Sequence, residues 1–330
     1  MYTAPSPAQP ANRLSASPLG RQTNRNRKES RVQSVRSRVI YASYRLFGSP
    51  FDSSAPLAQQ RAYLERQGKF SIMPSKVDVQ PISIGEMYAE WVKPHGVRHD
   101  QAILYLHGGG YTMGSCNTHR PLASRIAIAS QTPALLVNYR LAPENPFPAA
   151  LEDAKAAFQW LLDQGIEARR IVIVGDSAGG GLAVAVSIAF RDEKGQLPAG
   201  IVCISPWADL TLSGETISSC SRTDPLLGRE TSLLHAGRYV GQHDPKSPLI
   251  SPVFADLSKL PPLLIQVGEH EILRSDSVRL SENARQAGVD VTLEIWNGMW
   301  HDWHLFAGLM PESQRAIERI GCFINEQMNT

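Results

Sequence analysis

The chain has 330 residues, of which 42% are hydrophobic, and a formal net charge of +2 at pH 7. This length and composition suffice for one large α/β domain with a substantial core. The near-neutral charge gives no reason to predict nucleic-acid binding, and no apolar run approaches the roughly 18 residues that span a membrane. The N-terminus lacks the apolar stretch of a secretory signal.

The positive charge is concentrated at the N-terminus. Residues 1–45 contain nine Lys or Arg against one acidic residue, Glu29, so they carry +8 and leave −6 for the remainder. Residues 1–30 are rich in Ser, Pro, Asn, Gln and Arg, and this composition predicts a basic, flexible tail.

The cysteines are far apart in sequence and form no C-x-x-C pair, which indicates free thiols in a reducing compartment. We therefore predict a cytoplasmic protein that has neither a disulfide framework nor a zinc site. The four residues are Cys116, Cys203, Cys220 and Cys322.

Two helices are predicted between residues 31 and 70. Apolar residues recur at helical spacing from Arg31 to Phe47, with arginines between them, and again from Leu57 to Gln67. We interpret residues 31–70 as helices that pack on the main domain. A lid over an active site and a basic helix on an anionic membrane surface are the alternatives.

Residues 71–330 alternate strands with helices, which predicts a mostly parallel sheet covered on both faces, with ligands bound at the carboxyl ends of the strands. Residues 208–245 lack a strand period and are interpreted as an insertion above the sheet. The predicted strands are Val77–Ile82, Met87–Val92, Ala102–Leu106, Ala134–Asn138, the run ending at Gly175, Gly200–Ile204, Leu263–Val267 and Val291–Trp296. The predicted helices are Leu122–Ser130, Ala149–Leu162, Gly180–Arg191, Ile272–Ala287 and Glu312–Gln327.

Ser177 stands where a predicted strand gives way directly to a helix. Gly175 and Gly179 lie two residues to either side of it, where a tight turn leaves no room for a Cβ atom. Such a turn lifts a hydroxyl clear of the sheet, beside the N-terminus of a helix. Ser177 is therefore a candidate nucleophile.

A serine hydroxyl is a poor nucleophile at neutral pH and needs a histidine base, which in turn needs a carboxylate to hold its tautomer. Two segments supply such groups just past late strands, on the edge of the sheet that also carries Ser177. The candidates are Glu269, Glu271, Asp276, His301 and His304. The run His301, Asp302 and His304 matches no strong zinc pattern, so no metal is predicted.

A tetrahedral intermediate would place negative charge on the former carbonyl oxygen, and backbone N–H groups can stabilise that charge. Gly108 and Gly109, in the loop that follows the strand Ala102–Leu106, can present their amides at close range because they lack side chains. The amide of Ala178 lies at a helix N-terminus, where the dipole also favours an anion.

Taken together, these motifs resemble the hormone-sensitive-lipase-like family of α/β-hydrolases, also called bacterial family IV esterases. The resemblance covers roughly residues 70–328 and is closest to the branch of short-chain esterases and monoterpene lactone hydrolases. It implies an α/β-hydrolase fold with a helical cap and a serine carboxylesterase that acts on small or short-acyl esters without a cofactor. The motifs are His107–Gly110, Tyr139–Glu144, Phe147–Asp153, Gly175–Gly180 and Gly298-Met299-x-His301.

The resemblance makes Ser177 the nucleophile, His301 the base and Gly108, Gly109 and Ala178 the oxyanion donors. One position departs from the family pattern. Many relatives have Asp-Pro-Leu where this chain has Glu271-Ile272-Leu273. When Gly268 and Leu273 are matched to the family pattern, Glu271 takes the position of the acid. Glu269 and Asp276 are the alternative candidates.

Two other functions are compatible with the same fold. A lactone hydrolase would use the same triad. A non-catalytic receptor, such as the plant gibberellin receptors, would have lost the catalytic histidine, and the presence of His301 argues against it. By analogy with the family we also expect a possible homodimer formed through the last strand, Val291–Trp296.

Overall fold

The computed structural model describes Met1 and residues 25–29, 33–47, 54–97 and 100–329. Its centre is a sheet in which we number nine strands in chain order. They are β1 (Arg25–Glu29), β2 (Val77–Ile84), β3 (Met87–Pro94), β4 (Ala102–Leu106), β5 (Ala134–Val137), β6 (Ile171–Asp176), β7 (Gly200–Ile204), β8 (Leu263–Gly268) and β9 (Val291–Trp296).

The strands lie side by side in the order β1-β9-β8-β7-β6-β4-β5-β3-β2. The first seven strands in this spatial order, β1-β9-β8-β7-β6-β4-β5, are all parallel to their neighbours. Strand β3 is antiparallel to β5, and β2 is antiparallel to β3. Every residue of β4, β6, β7 and β8 is buried, as expected of parallel strands covered on both faces. The predicted α/β class is therefore what the structure shows.

Helices cover both faces of the sheet. Buried residues of α4, α5 and α8 pack against one face, and those of α3 and α9 pack against the other. The helices are α1 (Val35–Phe47), α2 (Leu57–Phe70), α3 (Cys116–Ser130), α4 (Ala149–Asp163), α5 (Ala178–Asp192), α6 (Thr216–Ser219), α7 (Arg229–Val240), α8 (Arg274–Gln286) and α9 (Pro311–Met328). Within the described ranges, no helix is both long and apolar enough to cross a membrane.

One helix begins earlier than its apolar pattern predicts. We expected α3 to start near Leu122, but it begins at Cys116. Ser115 caps it, because its hydroxyl accepts a hydrogen bond from the Thr118 amide while the Thr118 side chain accepts one from the Ser115 amide. This capping box satisfies two N-terminal backbone groups and extends the helix beyond its apolar face.

The N-terminal segment differs from its prediction. Composition favours a flexible tail over residues 1–30, but Arg25–Glu29 forms strand β1, parallel to β9. Backbone pairing with an otherwise open sheet edge does not depend on an apolar side-chain pattern, so composition could not reveal it. Residues 2–24 lie outside the described residues.

The two helices predicted before residue 70 are present as α1 and α2. The Tyr41 hydroxyl donates to the carbonyl of Thr223 at 2.9 Å, and its ring stacks on His270 at 5.1 Å between centroids. The predicted apolar face of α1 is only partly covered, because Val35 and Phe47 are exposed. Helix α1 therefore contacts the rest of the chain through its tyrosine side.

Replacing a core residue of α9 tests how this helix stabilises the sheet. Ile320 is fully buried among the residues of α3 and the sheet. We expect Ile320→Ala to lower the free energy of unfolding by about 2–5 kcal/mol and Ile320→Val by about 0.5–1.5 kcal/mol, because the lost contacts leave a cavity. Urea denaturation followed by circular dichroism measures both. The exposed Glu326→Ala is the control, and equal stabilities for all variants would contradict this packing.

Candidate active site

Ser177 lies at the apex of a sharp turn between β6 and α5, with φ 50° and ψ −118°. This is a strained conformation for a residue with a side chain, and such strain is common at functional sites. A Cβ atom on Gly175 would lie 2.2 Å from the carbonyl oxygen of Gly179, and one on Gly179 would lie 2.0 Å from that of Leu106. The predicted need for glycine on both sides of Ser177 is confirmed.

The structure brings Ser177, His301 and Glu271 together at the carboxyl ends of β6, β9 and β8. The His301 ring joins the other two residues, with Nε2 3.0 Å from Ser177 Oγ and Nδ1 3.2 Å from Glu271 Oε2. All three residues are buried. A hydroxyl, an imidazole and a carboxylate in this order form the arrangement that activates a serine.

Glu271 is held in place by further hydrogen bonds, and its rivals have other partners. Its Oε1 accepts from the Ser205 hydroxyl at 2.7 Å and from the Gly268 amide at 2.6 Å. Glu269 accepts from the Gly298 amide, and Asp276 accepts from the backbone amides of residues 208 and 209. Of the three predicted candidates, Glu271 is the one that contacts the imidazole.

The loop after β4 lies beside Ser177. Gly109 has φ +112° and lines the same cavity as Ser177. The ring of His107 stacks on Tyr139 at 4.2 Å between centroids, and its Nδ1 donates to the Gly108 carbonyl at 2.7 Å. His107 thus anchors this loop, and burial lowers the pKa of its ring to about 3.

A second buried pair lies beneath this loop. Asp176 accepts from the Tyr105 hydroxyl at 2.6 Å and lies 3.1 Å from His119 Nε2. Burial opposes ionisation of Asp176, but His119 and the Tyr105 hydroxyl outweigh it and lower the pKa of the carboxyl. Its Oδ2 packs directly against the backbone of Gly108. Asp176 therefore braces the glycine loop, a role that the sequence pattern did not specify.

Asp302 belongs to the site, although in sequence it stands out only within a possible metal-binding pattern with His301 and His304. Its Oδ2 lies 3.0 Å from His301 Nε2, the nitrogen that also faces Ser177. Asp302 adopts a left-handed conformation, with φ 50° and ψ 36°. The direction of the Asp302 side chain depends on this backbone conformation, so it could not be predicted from the sequence.

The carboxylates around His301 control its protonation. Burial alone would lower the pKa of His301, but Asp302 and Glu271 outweigh it and raise that pKa well above its usual range. Burial raises the pKa of Asp302 to about 6, against the opposing effect of His301. The nearby His304 has a pKa lowered to about 3 by burial, and its ring is bonded to Gln266.

A cavity of about 230 Å³ opens above Ser177. Trp207 lines it, whereas Trp300 and Trp303 are fully buried in a separate aromatic cluster. The apolar wall comes from α2, from the segment before α7 and from loops near the triad. It includes Leu64, Met113, Leu226, Leu227, Leu273 and Leu305.

Charged residues of the predicted motifs Tyr139–Glu144 and Phe147–Asp153 pair with one another. Arg140 pairs with Asp153 at 2.8 Å and with Glu152 at 3.1 Å, which fixes the segment before α4 to that helix. Among the residues described, no group of three or more His, Cys, Asp or Glu side chains is arranged to hold a metal ion.

The chain is similar to known ester hydrolases in sequence and in fold. Residues 103–305 match the family model of the alpha/beta hydrolase fold. The chain is 45% identical over 269 residues to an acetyl-hydrolase of Streptomyces hygroscopicus, covering 81% of this chain and 88% of the relative. Two solved structures each cover 90% of this chain and 100% of their own, with a TM-score of 0.85. They are an esterase from the bacterial hormone-sensitive lipase family, 40% identical, and EstE5 soaked by p-nitrophenyl butyrate, 43% identical.

The raised pKa of His301 can be tested by an NMR titration of the histidine rings. We expect one imidazolium signal to persist well above pH ~6.5, the usual histidine pKa, because two carboxylates stabilise the charged ring. This signal should disappear in His301→Gln. The rings of His107 and His304 should stay neutral at pH ~5, since burial lowers both pKa values to about 3. Loss of the His301 proton below its usual pKa would contradict the assignment.

Proposed function

Because this chain belongs to the bacterial hormone-sensitive-lipase family of α/β-hydrolases and is a carboxylesterase, a serine hydrolase of ester bonds, we propose a catalytic role for three of its residues. Ser177 is the nucleophile, His301 is the base and Glu271 is the acid. The observation that supports this proposal is the continuous chain from Ser177 Oγ through both ring nitrogens of His301 to Glu271, with distances of 3.0 and 3.2 Å. A hydroxyl in this chain can lose its proton as it attacks an ester.

The first half of the reaction forms an acyl-enzyme. His301 Nε2 takes the hydroxyl proton while Ser177 Oγ bonds to the ester carbonyl carbon, and the resulting oxyanion faces the amides of Gly108, Gly109 and Ala178. Each such donor typically stabilises the transition state by about 3 kcal/mol. The intermediate then expels the alcohol, which takes the proton from His301 Nε2.

The second half repeats the cycle with water. His301 takes a proton from water, and the hydroxide adds to the acyl carbon before Ser177 leaves with that proton as its own. Glu271 keeps Nδ1 protonated and stabilises the transient imidazolium. The hydrogen bonds from Ser205 and Gly268 to its other oxygen hold the carboxylate in this orientation.

Residues 31–70 and the insertion near residues 208–245 would form a cap over this site, above a catalytic domain of residues 71–330. Helix α2 is tied to the catalytic loops through Arg61, which donates to Glu144 at 2.7 Å and to the Thr112 carbonyl at 2.7 Å. Helix α2 also contributes Leu64 to the cavity wall, and the insertion contributes Leu226 and Leu227.

The substrate class we propose is small or short-acyl esters. A cavity of about 230 Å³ bounded by leucines favours a short chain. The related EstE5 was soaked by p-nitrophenyl butyrate, an ester with a four-carbon acyl group. A lactone is the alternative substrate, since a cyclic ester needs the same triad. A non-catalytic receptor is disfavoured because His301 contacts both Ser177 and Glu271.

A cytoplasmic location and a homodimer remain predictions. The first is supported by four free cysteines, and the second only by family analogy. In the structure, residues 25–29 of the same chain lie along β9. Two copies could therefore pair at this edge only if that segment moved away or took part in the interface.

Single substitutions test the triad. We expect Ser177→Ala and His301→Gln to lower kcat/KM for p-nitrophenyl butyrate about a thousandfold or more, and Glu271→Gln to lower it by about 10³–10⁴-fold, because each loses part of the proton-transfer chain. The matched control is Glu269→Gln, with an expected loss below about tenfold. If Glu269→Gln is as damaging as Glu271→Gln, the acid has been assigned wrongly.

A series of p-nitrophenyl esters from acetate to dodecanoate, with γ-butyrolactone beside it, tests the substrate class. We expect kcat/KM to fall at least about tenfold beyond medium chain lengths, because the leucine wall excludes longer chains. Leu226→Ala should raise the ratio of long-chain to short-chain activity, and the exposed Leu309→Ala should not. A flat chain-length profile, or faster hydrolysis of the lactone, would refute short-acyl preference.

A further inference from the structure

The carboxylate of Asp302 is an unusual group to find in an apolar ester-binding cavity. Its side chain is 9% exposed and lines the cavity above Ser177. One oxygen, Oδ2, lies 3.0 Å from His301 Nε2. The other, Oδ1, has no hydrogen-bond partner in the described part of the chain. A buried carboxylate that lacks donors is costly, so a ligand that brings a donor or a cation to this group would be favoured.

The other charged groups around Asp302 are already paired. Glu271 accepts from Ser205, from Gly268 and from the far side of the His301 ring. Asp176, at the end of β6, is bonded to His119 and to the Tyr105 hydroxyl. The cation nearest to Asp302 is therefore His301 itself.

Catalysis removes that counter-charge. His301 must be unprotonated to accept the Ser177 proton, and the negative charge of Asp302 is then uncompensated. Burial opposes ionisation of the Asp302 carboxyl, and the neighbouring charged His301 favours it, so a cation on the substrate would take over the stabilisation that the neutral ring no longer gives. In a leucine-lined cavity, water screens such a charge poorly, and a cation on the substrate would be attracted strongly.

The position of Asp302 determines which half of the ester it faces. His301 Nε2 delivers its proton to the leaving alcohol, so the alcohol half of the substrate lies next to this nitrogen. Asp302 Oδ2 contacts the same nitrogen. The carboxylate of Asp302, which lines the cavity, therefore lies beside the alcohol half of the substrate.

We propose that Asp302 makes this esterase selective for esters whose alcohol half carries a protonated amine, and makes it discriminate against alcohols that carry a carboxylate. This proposal rests on the roles of Ser177 and His301 given above. An ammonium N–H placed about two carbons from the ester oxygen would donate to the Asp302 carboxylate and replace the charge that His301 gives up. A carboxylate in the same position would be repelled.

Three butyrate esters of matched shape test the proposal at neutral pH. They are 2-(dimethylamino)ethyl butyrate, which is cationic, the neutral 3-methylbutyl butyrate, and the anionic 3-(butanoyloxy)propanoate. We expect kcat/KM for the cationic ester to exceed that for the neutral ester at least about tenfold, and the anionic ester to be slower than the neutral one by a similar factor. Release of butyrate measures all three.

Asp302→Asn is the decisive variant. Asparagine matches aspartate in size and also tolerates the left-handed conformation, so the change removes charge and little else. The cation-to-neutral ratio should fall to near unity. The ratio is the measured quantity because any change in the protonation of His301 affects both substrates alike. Asp302→Glu keeps the charge and should retain the order of preference.

The unaltered protein supplies an independent measurement. We expect 2-(dimethylamino)ethanol to inhibit it at least about tenfold more strongly than 3-methylbutan-1-ol, because only the first presents a cation to the Asp302 carboxylate. Equal rates for the three esters, equal inhibition by the two alcohols, or a preference that survives in Asp302→Asn would each overturn the proposal. If Ser177→Ala abolishes hydrolysis of all three esters in such a case, the proposed function stands and only the charge selectivity fails. Activity retained in Ser177→Ala would instead overturn both.

Discussion

The contact between the end of β4 and the turn after β6 constrains the rest of the site. The carbonyl of Leu106 lies where a Cβ of residue 179 would be, and the carbonyl of Gly179 lies where a Cβ of residue 175 would be. Backbone therefore packs on backbone, which forces Ser177 into its strained conformation and holds the loop of Gly108 beside it. Any side chain at these glycines would separate the nucleophile from that loop.

The triad is assembled by loops that share hydrogen bonds as well as by the sheet. Ser205 follows β7 and donates to Glu271, and its oxygen also accepts from the backbone amide of Asp302. The acid loop and the histidine loop are thus linked through one serine hydroxyl. Asp224, in the insertion, accepts from the Ile272 amide at 3.0 Å, so the wall of the cavity is also tied to the acid loop.

Much of the fold and of the site could be predicted from local sequence patterns. Apolar runs predict the bounds of β4 and β7 as observed, because strands buried on both faces are mainly apolar. The bounds predicted for β9 are also those observed. The glycines around Ser177 and the match of Gly268–Leu273 to the family pattern predicted Ser177 and Glu271, which the structure brings together. These features depend on neighbours in the chain, which a sequence displays directly.

Contacts between distant segments could not be predicted in this way. The carboxylate of Asp302, a residue with a left-handed backbone, reaches His301 Nε2. Likewise, Arg61 binds Glu144, and His119 pairs with Asp176 across elements that share no pattern. Such charged residues look like ordinary surface groups in a sequence, and only the three-dimensional arrangement shows what each one faces.

Strand β1 has a consequence for the edge of the sheet. Residues 25–29 run parallel to β9 along its outer side. A chain shortened past residue 30 would leave the outer backbone N–H and C=O groups of β9 without these partners. An uncovered, regular strand edge is a template for pairing with other chains. Strand β1 takes the place of β9 at the edge of the sheet, and its charged composition, with Arg25, Arg27 and Lys28, disfavours such pairing.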